Sequence, residues 1–182
     1  MNLSAPETLS IQLLGAPTGA DIEESDVLVF IGVDACATQP AIWQKVLQNK
    51  HTPEIIVIDP NTTATALAAT QHYAIRPGSD LVLLSGLANI LIASGWIDRE
   101  IAKNQMSGFD EFAASVLRFT SDDVSETTGL SVEQIWQFAN TIHRARRVSF
   151  WWMTGVNEAE AKPVADVIVS LVLLTGGAAR HD

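Results

Sequence analysis

The sequence predicts an α/β fold built on a parallel sheet, and three observations carry that reading. Apolar runs of strand length recur, and the first two are closed by turn residues: 27–31 before Gly32, and 55–58 before Asp59-Pro60. Stretches of helical spacing separate these runs, as in βαβ units, which imply parallel strands and right-handed crossovers. Residues 96–147 then carry helical patterns only, before strand character returns at 148–152.

Each element has its own signal. Val27-Leu28-Val29-Phe30-Ile31 is continuously apolar, the pattern of a strand covered on both faces. The acidic segment Asp21 to Asp26 before it reads as a short turn, and residues 1–20 as an irregular lead-in. Ile42, Trp43, Val46 and Leu47 share a helical face within 40–50. Asn61-Thr62-Thr63 offers caps for a short Ala-rich helix over 64–69. A third strand is predicted at Tyr73-Ala74-Ile75, ended by Arg76-Pro77-Gly78. Ser79 or Asp80 caps a helix from Leu81 to about Ser94. Within the helical block, Ser121-Asp122-Asp123 reads as one cap and Ser131 with Gln134 as a capping box. The box opens a helix whose inner face is Ile135, Phe138, Ala139 and Ile142. A turn at 154–157 leads to a last helix over about 159–174, stopped by Gly176-Gly177.

Composition narrows the functional classes. The 182 residues suit a single domain able to bury roughly two-thirds of its unfolded surface. With 11 basic against 21 acidic residues the net charge is −10, which argues against nucleic acid or an anionic membrane as partner. Cys36 is the single cysteine, so neither a disulfide framework nor a Cys-rich cluster site is predicted, and its bland reading is a small buried thiol. The N-terminus lacks a signal-peptide pattern, and 164–174 is too short and too interrupted to cross a bilayer, so a cytoplasmic protein is expected. His51, His72, His143 and His181 show no metal-ligand spacing. Arg144, Arg146 and Arg147 sit where a helix dipole favours cations. Trp151 and Trp152 alternate on a strand, which places one inside and offers the other to a partner or a second copy.

Ligands of open parallel sheets sit beyond the carboxyl ends of the strands. Those ends carry Gly32 and Asp34, then Asp59, then Gly78, Ser79 and Asp80, then Gly155 and Asn157. Gly32 lets backbone approach a ligand, helix N-termini offer N–H groups to phosphate, and Asp59 or Asp80 suits a purine edge or a ribose. Each also has a purely structural reading: Asp80 as a helix cap, Asp59-Pro60 as a strand end, Gly155 as a turn. Neither G-x-G-x-x-G nor a P-loop is present.

At these loops the chain resembles the bis-molybdopterin-guanine-dinucleotide oxidoreductases, which include prokaryotic nitrate reductases and formate dehydrogenases. Asp21 to Leu28 is similar to D-I-E-x-A-D-x-x-L, Gly32 to Pro40 to G-S-N-x-x-x-x-H-P, and Ile58 to Ala66 to V-D-P-R-x-T-x-T-A. Arg76-Pro77-Gly78-Ser79-Asp80 matches R-P-G-S/T-D closely. Gly95 to Asp98, Gly108 to Asp110 and Thr127 to Leu130 resemble the intervening helical region. Phe150 to Asn157 resembles F-W-W-T-M-G-V-N, and Leu173 to Gly176 the family's L-x-T-G ending. The resemblance covers nearly the whole chain from residue 21 on. It implies a single Rossmann-like α/β domain over 21–182, with a parallel sheet flanked by helices and a helical insertion at about 96–147. It further implies a cradle for molybdopterin guanine dinucleotide at Gly32, Asp34, Asp59, Gly78, Ser79, Asp80, Gly155 and Asn157.

The chain also departs from the family pattern. Family members are several times longer, and they carry an N-terminal Cys-rich cluster segment, a metal-ligating residue and a separate C-terminal domain. Asp34 stands where the motif has Asn, Gln39 where it has His, Asn61 where it has Arg, and Thr154 where it has Met. The carboxylate gained and the basic group lost both oppose an anionic cofactor. The resulting expectation is a truncated domain without catalytic residues, metal ligands or iron–sulfur cluster, inactive alone and retaining at most weak dinucleotide binding. Two alternatives stand beside it: a subunit of a split molybdenum oxidoreductase, or an interaction module. Both would use the face that the family's other domains cover, against a partner chain or a second copy.

Overall fold

The computed structural model describes residues 19–152 and 158–175. In chain order the elements are α1 (Gly19–Glu24), β1 (Val27–Ile31), α2 (Ala35–Thr38), α3 (Pro40–Gln48), β2 (Glu54–Ile58), α4 (Ala64–Ala68) and β3 (Gln71–Tyr73). There follow α5 (Asp80–Ala93), α6 (Arg99–Gln105), α7 (Phe109–Val116), α8 (Ser121–Thr128), α9 (Val132–Arg144), β4 (Val148–Trp152) and α10 (Glu158–Leu174). The four strands form one parallel sheet in the order β3-β2-β1-β4. Val29 at the middle of β1 pairs with Ile56 on one side and Phe150 on the other.

Every residue of β1 is buried, because helices cover both faces of the sheet. On one face Val29, Ile31, Ile56, Ile58 and Phe150 pack with Leu83, Leu84, Leu87 and Leu91 of α5 and with Ile168 and Leu171 of α10. On the other, Leu28, Phe30, Val57 and Trp151 pack with Ile22 of α1, Val46 of α3 and Ala66 of α4. Each fully buried aliphatic or aromatic side chain contributes about 1.5–3 kcal/mol, so these two clusters dominate the stability. The second layer does not end at α5. Residues 83–88 and 90–92 of this helix are all buried, since α8 and α9 cover its outer side, and a helix apolar all round must be enclosed all round. The helical block thus joins the main core through Val124, Ile135, Phe138 and Ile142.

Local readings hold where local forces decide. The capping box closes α9: Gln134 N–H donates to the Ser131 hydroxyl and Ser131 N–H to the Gln134 side chain. Thr63 caps α4, accepting from the Ala66 N–H at 3.1 Å. Other boundaries move because distant groups intervene. The acidic segment after Gly19 is helical up to Glu24, since Ile22 is drawn into the core and the Asn49 amide donates to the Ile22 and Ser25 carbonyls. The third strand is Gln71–Tyr73, two residues earlier than its apolar signal: pairing stops where β2 stops, at Ile58 opposite Tyr73. Thr120, one residue earlier than read, caps α8. Arg144 ends α9, while the N–H groups of Arg146 and Arg147 donate to the Asp26 carboxylate at 2.9 and 2.8 Å. Trp151 is buried against Phe30, as one of the pair is expected to be, and Trp152 is half-buried against the core. The turn at 154–157 and the glycine stop at 176–177 lie outside the described residues. Among the described residues no helix is long and apolar enough to cross a membrane.

Helix α5 meets α8 at Gly86, where an added Cβ would lie 2.4 Å from Cγ2 of the fully buried Val124. A β-branched side chain on a helix has no second rotamer to retreat to. Gly86→Ala is expected to lower the unfolding free energy by about 1–3 kcal/mol in urea titrations, against its helix-propensity gain. In a Val124→Ala background the same change should cost nothing; an equal loss in both backgrounds would mean that the contact is not the cause.

Candidate functional site

The strand order reverses at β1, with β2 and β3 to one side and β4 to the other, which puts the crevice of a doubly wound sheet at the carboxyl end of β1. Backbone bonds draw the first three loops together there. Gly32 N–H donates to the Ile58 carbonyl at 2.9 Å, and Asp59 N–H to the Tyr73 carbonyl at 3.3 Å. His72 Nε2 lies 2.9 Å from the Asp59 carbonyl and donates to it. Gly32 and Gly78 both have left-handed backbones, φ 61° and 78°, and open space where a Cβ would stand. These two turns therefore present bare backbone to solvent, as a close approach by a ligand requires.

The aspartates divide into two kinds. Asp34 faces inward along the loops. Its Oδ1 accepts from the Thr65 hydroxyl at 2.8 Å, from the Thr65 N–H at 3.1 Å and from the Ala37 N–H at 3.4 Å. The Thr65 hydroxyl accepts in turn from the Cys36 N–H at 2.9 Å. Asp34 is thus the cap of α2 and the clasp that ties the β1 loop to α4. Its carboxyl is held below the ordinary range, chiefly by the Thr65 hydroxyl and further by the surrounding backbone N–H groups, against partial desolvation. Cys36 beside it is a free, half-buried thiol, more open than its sequence suggests.

Asp59 and Asp80 form the other kind. Asp59 is 8% exposed, and its Oδ1 accepts the Asn61 N–H at 2.8 Å. Asp80 opens α5. Partial burial raises its carboxyl above the ordinary range, its own backbone N–H partly offsets this, and the Asp59 charge raises it further. The two carboxylates are therefore close enough to feel each other at the ends of β2 and β3. Ser79 is buried but does not cap α5: its hydroxyl and its N–H both donate to the Arg76 carbonyl, at 2.6 and 3.1 Å. The structure so brings Gly32, Asp59, Gly78, Ser79 and Asp80 to one end of the sheet and turns Asp34 toward Thr65. Gly155 and Asn157 lie outside the described residues. Thr65, His72 and Arg76 were not legible as site residues. Their partners are 31, 13 and about 50 residues away, and no local motif links such distances. The buried indole N–H of Trp151 has no acceptor among the described residues.

Comparison with known proteins identifies the family and the fold. The family model described as molybdopterin oxidoreductase matches residues 4–181. A formate dehydrogenase alpha subunit of Methanococcus maripaludis is 33% identical over 147 residues, covering 79% of this chain and 22% of the relative. A nitrate reductase of Synechocystis is 32% identical over 161 residues, covering 86% and 22%. Among solved structures, acetylene hydratase from Pelobacter acetylenicus superposes with a TM-score of 0.74 at 23% identity, over 92% of this chain and 24% of that one, and shares the fold. The chain spans less than a quarter of the length of each of these relatives.

The Asp34 clasp has a pH signature. Because its folded-state pKa is depressed, its stabilisation is complete above the unfolded value of about 3.9 and is lost as pH falls through the folded value. Asp34→Asn keeps an acceptor and removes the charge. The wild-type advantage over this variant in urea midpoints should be present near neutral pH and shrink as pH falls below the ordinary aspartate range. A difference that stays constant across that range would remove the charge from the account.

Proposed function

The chain belongs to the molybdopterin oxidoreductase family, and on that premise we propose that it cradles the guanosine half of a molybdopterin guanine dinucleotide. The observation that carries this reading is the Asp59–Asp80 pair at the crevice end of the sheet, with Asp80 kept partly desolvated. A guanine edge presents two adjacent N–H donors to one carboxylate, whereas adenine sets an acceptor beside its amino group and meets repulsion. Hydrogen bonds to a charged acceptor are worth about 1.5–3 kcal/mol, enough for roughly tenfold or greater preference.

The donor set fits the base better than the diphosphate. In the first turn of α5 the Leu81 and Val82 N–H groups precede the first intrahelical bond, from Leu83 N–H to the Ser79 carbonyl, while the Asp80 N–H is engaged by its own carboxylate. Opposing them are a net charge of −10 and three carboxylates in the surrounding loops. Arg76, the basic residue of these loops, is committed to backbone carbonyls elsewhere. Recognition therefore rests on the guanine, and total affinity is weak. The group when bound would bring redox chemistry of the kind named in the relatives, nitrate reductase and formate dehydrogenase. This chain's own part is to hold the nucleotide end: a four-thiolate cluster needs four cysteines, and the chain has one. On this reading the purified chain alone neither reduces nitrate nor oxidises formate, and measurable turnover would refute that.

Calorimetric titration with GDP and ADP tests the cradle. GDP is expected to bind at least about tenfold more tightly than ADP, and Asp80→Asn to erase that preference. Since binding requires the ionised carboxylate and its pKa is raised, GDP affinity should begin to fall at a higher pH than an ordinary aspartate would dictate. No heat at millimolar GDP, or equal binding of ADP, would sink the proposal.

A further inference from the structure

We propose that Arg76 is the positioning residue of the nucleotide loop: it fastens the turn that carries Asp80 to the end of α8, so that the helical layer sets where the guanine acceptor stands. This inference rests on the reading of Asp80 as that acceptor. The guanidinium lies on the protein surface, yet it does not face the crevice as a free cation. Its Nη1 donates to the Glu126 carbonyl and, at 3.3 Å, to the Thr127 carbonyl. The Arg76 N–H donates to the Thr128 carbonyl at 2.9 Å. These are three consecutive carbonyls in the last turn of α8, where intrahelical donors run out and the helix dipole favours a cation. The side chain lies over Gly129, whose α-carbon substituent would sit 3.6 Å from Nε, and Gly129 itself ends α8 in a left-handed backbone at φ 84°.

From the same residue the bonding continues into the loop. The Arg76 carbonyl receives both donors of Ser79, the hydroxyl at 2.6 Å and the N–H at 3.1 Å. The turn through Pro77 and Gly78 is thus closed on Arg76, and Asp80 follows directly as the first residue of α5. An unbroken path runs from the α8 carbonyls through Arg76 and Ser79 to Asp80. Helix α8 is itself locked to α5 by the Gly86–Val124 contact. The side chains within the turn supply no such anchor: glycine has none, proline has no donor, and the Ser79 hydroxyl is already engaged. A long side chain with a charged donor is suited to this role, since the single Nη1 reaches two adjacent carbonyls.

The rival role for a basic residue at this place is direct contact with the ligand's phosphates, and the two roles separate on the ligand without phosphate. The full chain and its Arg76→Gln and Arg76→Lys variants are titrated with guanosine, GDP and ADP by calorimetry, and amide exchange is followed at Ser79 and Asp80. If Arg76 acts through Asp80, Arg76→Gln weakens guanosine and GDP by the same factor, about tenfold, and narrows the GDP-over-ADP ratio. Exchange at Ser79 and Asp80 quickens, and Arg76→Lys recovers most of both effects, since an ammonium still donates to the α8 carbonyls. Weakening of GDP alone would mean a phosphate contact and overturn the proposal. So would unchanged affinities and unchanged exchange beside a lowered melting temperature. Absence of guanosine and GDP binding in the wild type would instead refute the guanine reading of Asp80, while faster exchange in Arg76→Gln would still show the fastening.

Discussion

Strand β1 is hydrogen-bonded along both edges and covered on both faces, and the remainder of the molecule follows from satisfying that enclosure. A parallel strand cannot return by a tight turn, so its neighbours are reached through helical crossovers, and these crossovers supply the covering layers. The carboxyl ends of all four strands then point the same way. The loops that leave them are gathered at one end by geometry alone, which is why residues as distant in sequence as Gly32, Asp59 and Asp80 come to the same end of the sheet.

Charge at that end is arranged by competition for backbone donors. Asp34 is drawn to the Thr65 hydroxyl and to the starts of two short helices, where an anion is welcome, and its charged form is thereby stabilised. Asp59 takes one N–H from its own turn. Asp80 is left partly desolvated beside a like charge. A carboxylate in that condition gains most from a ligand that brings paired donors, and a carboxylate already clasped gains least. The division between a clasped aspartate and an aspartate with spare acceptor capacity is thus decided by where donors were available in the fold. All three follow strands in the sequence, after Ile31, Ile58 and Tyr73.

The helical block, though it interrupts the alternation of strands and helices, is continuous with the core. Helix α5 is apolar on every side and needs the cover that α8 and α9 provide. The same contact brings the carbonyl end of α8 to Arg76, so the packing that encloses α5 also braces the turn before it.

The sequence by itself determined the fold class, the central strands, the capping box of α9 and the loops that meet at the crevice. These depend on period, on turn chemistry and on residues no more than a few positions apart. Boundaries were misplaced where a distant partner set the outcome. The Tyr73 strand stops with its neighbour β2, α1 is held by Asn49, and Asp34 is claimed by Thr65 across 31 residues. Only the tertiary structure decided which aspartate is clasped and that Arg76 reaches α8. The physical reason is common to both: a side chain with unsatisfied hydrogen-bonding capacity takes the nearest donor or acceptor in space, and nearness in space between elements distant along the chain carries no trace in local sequence.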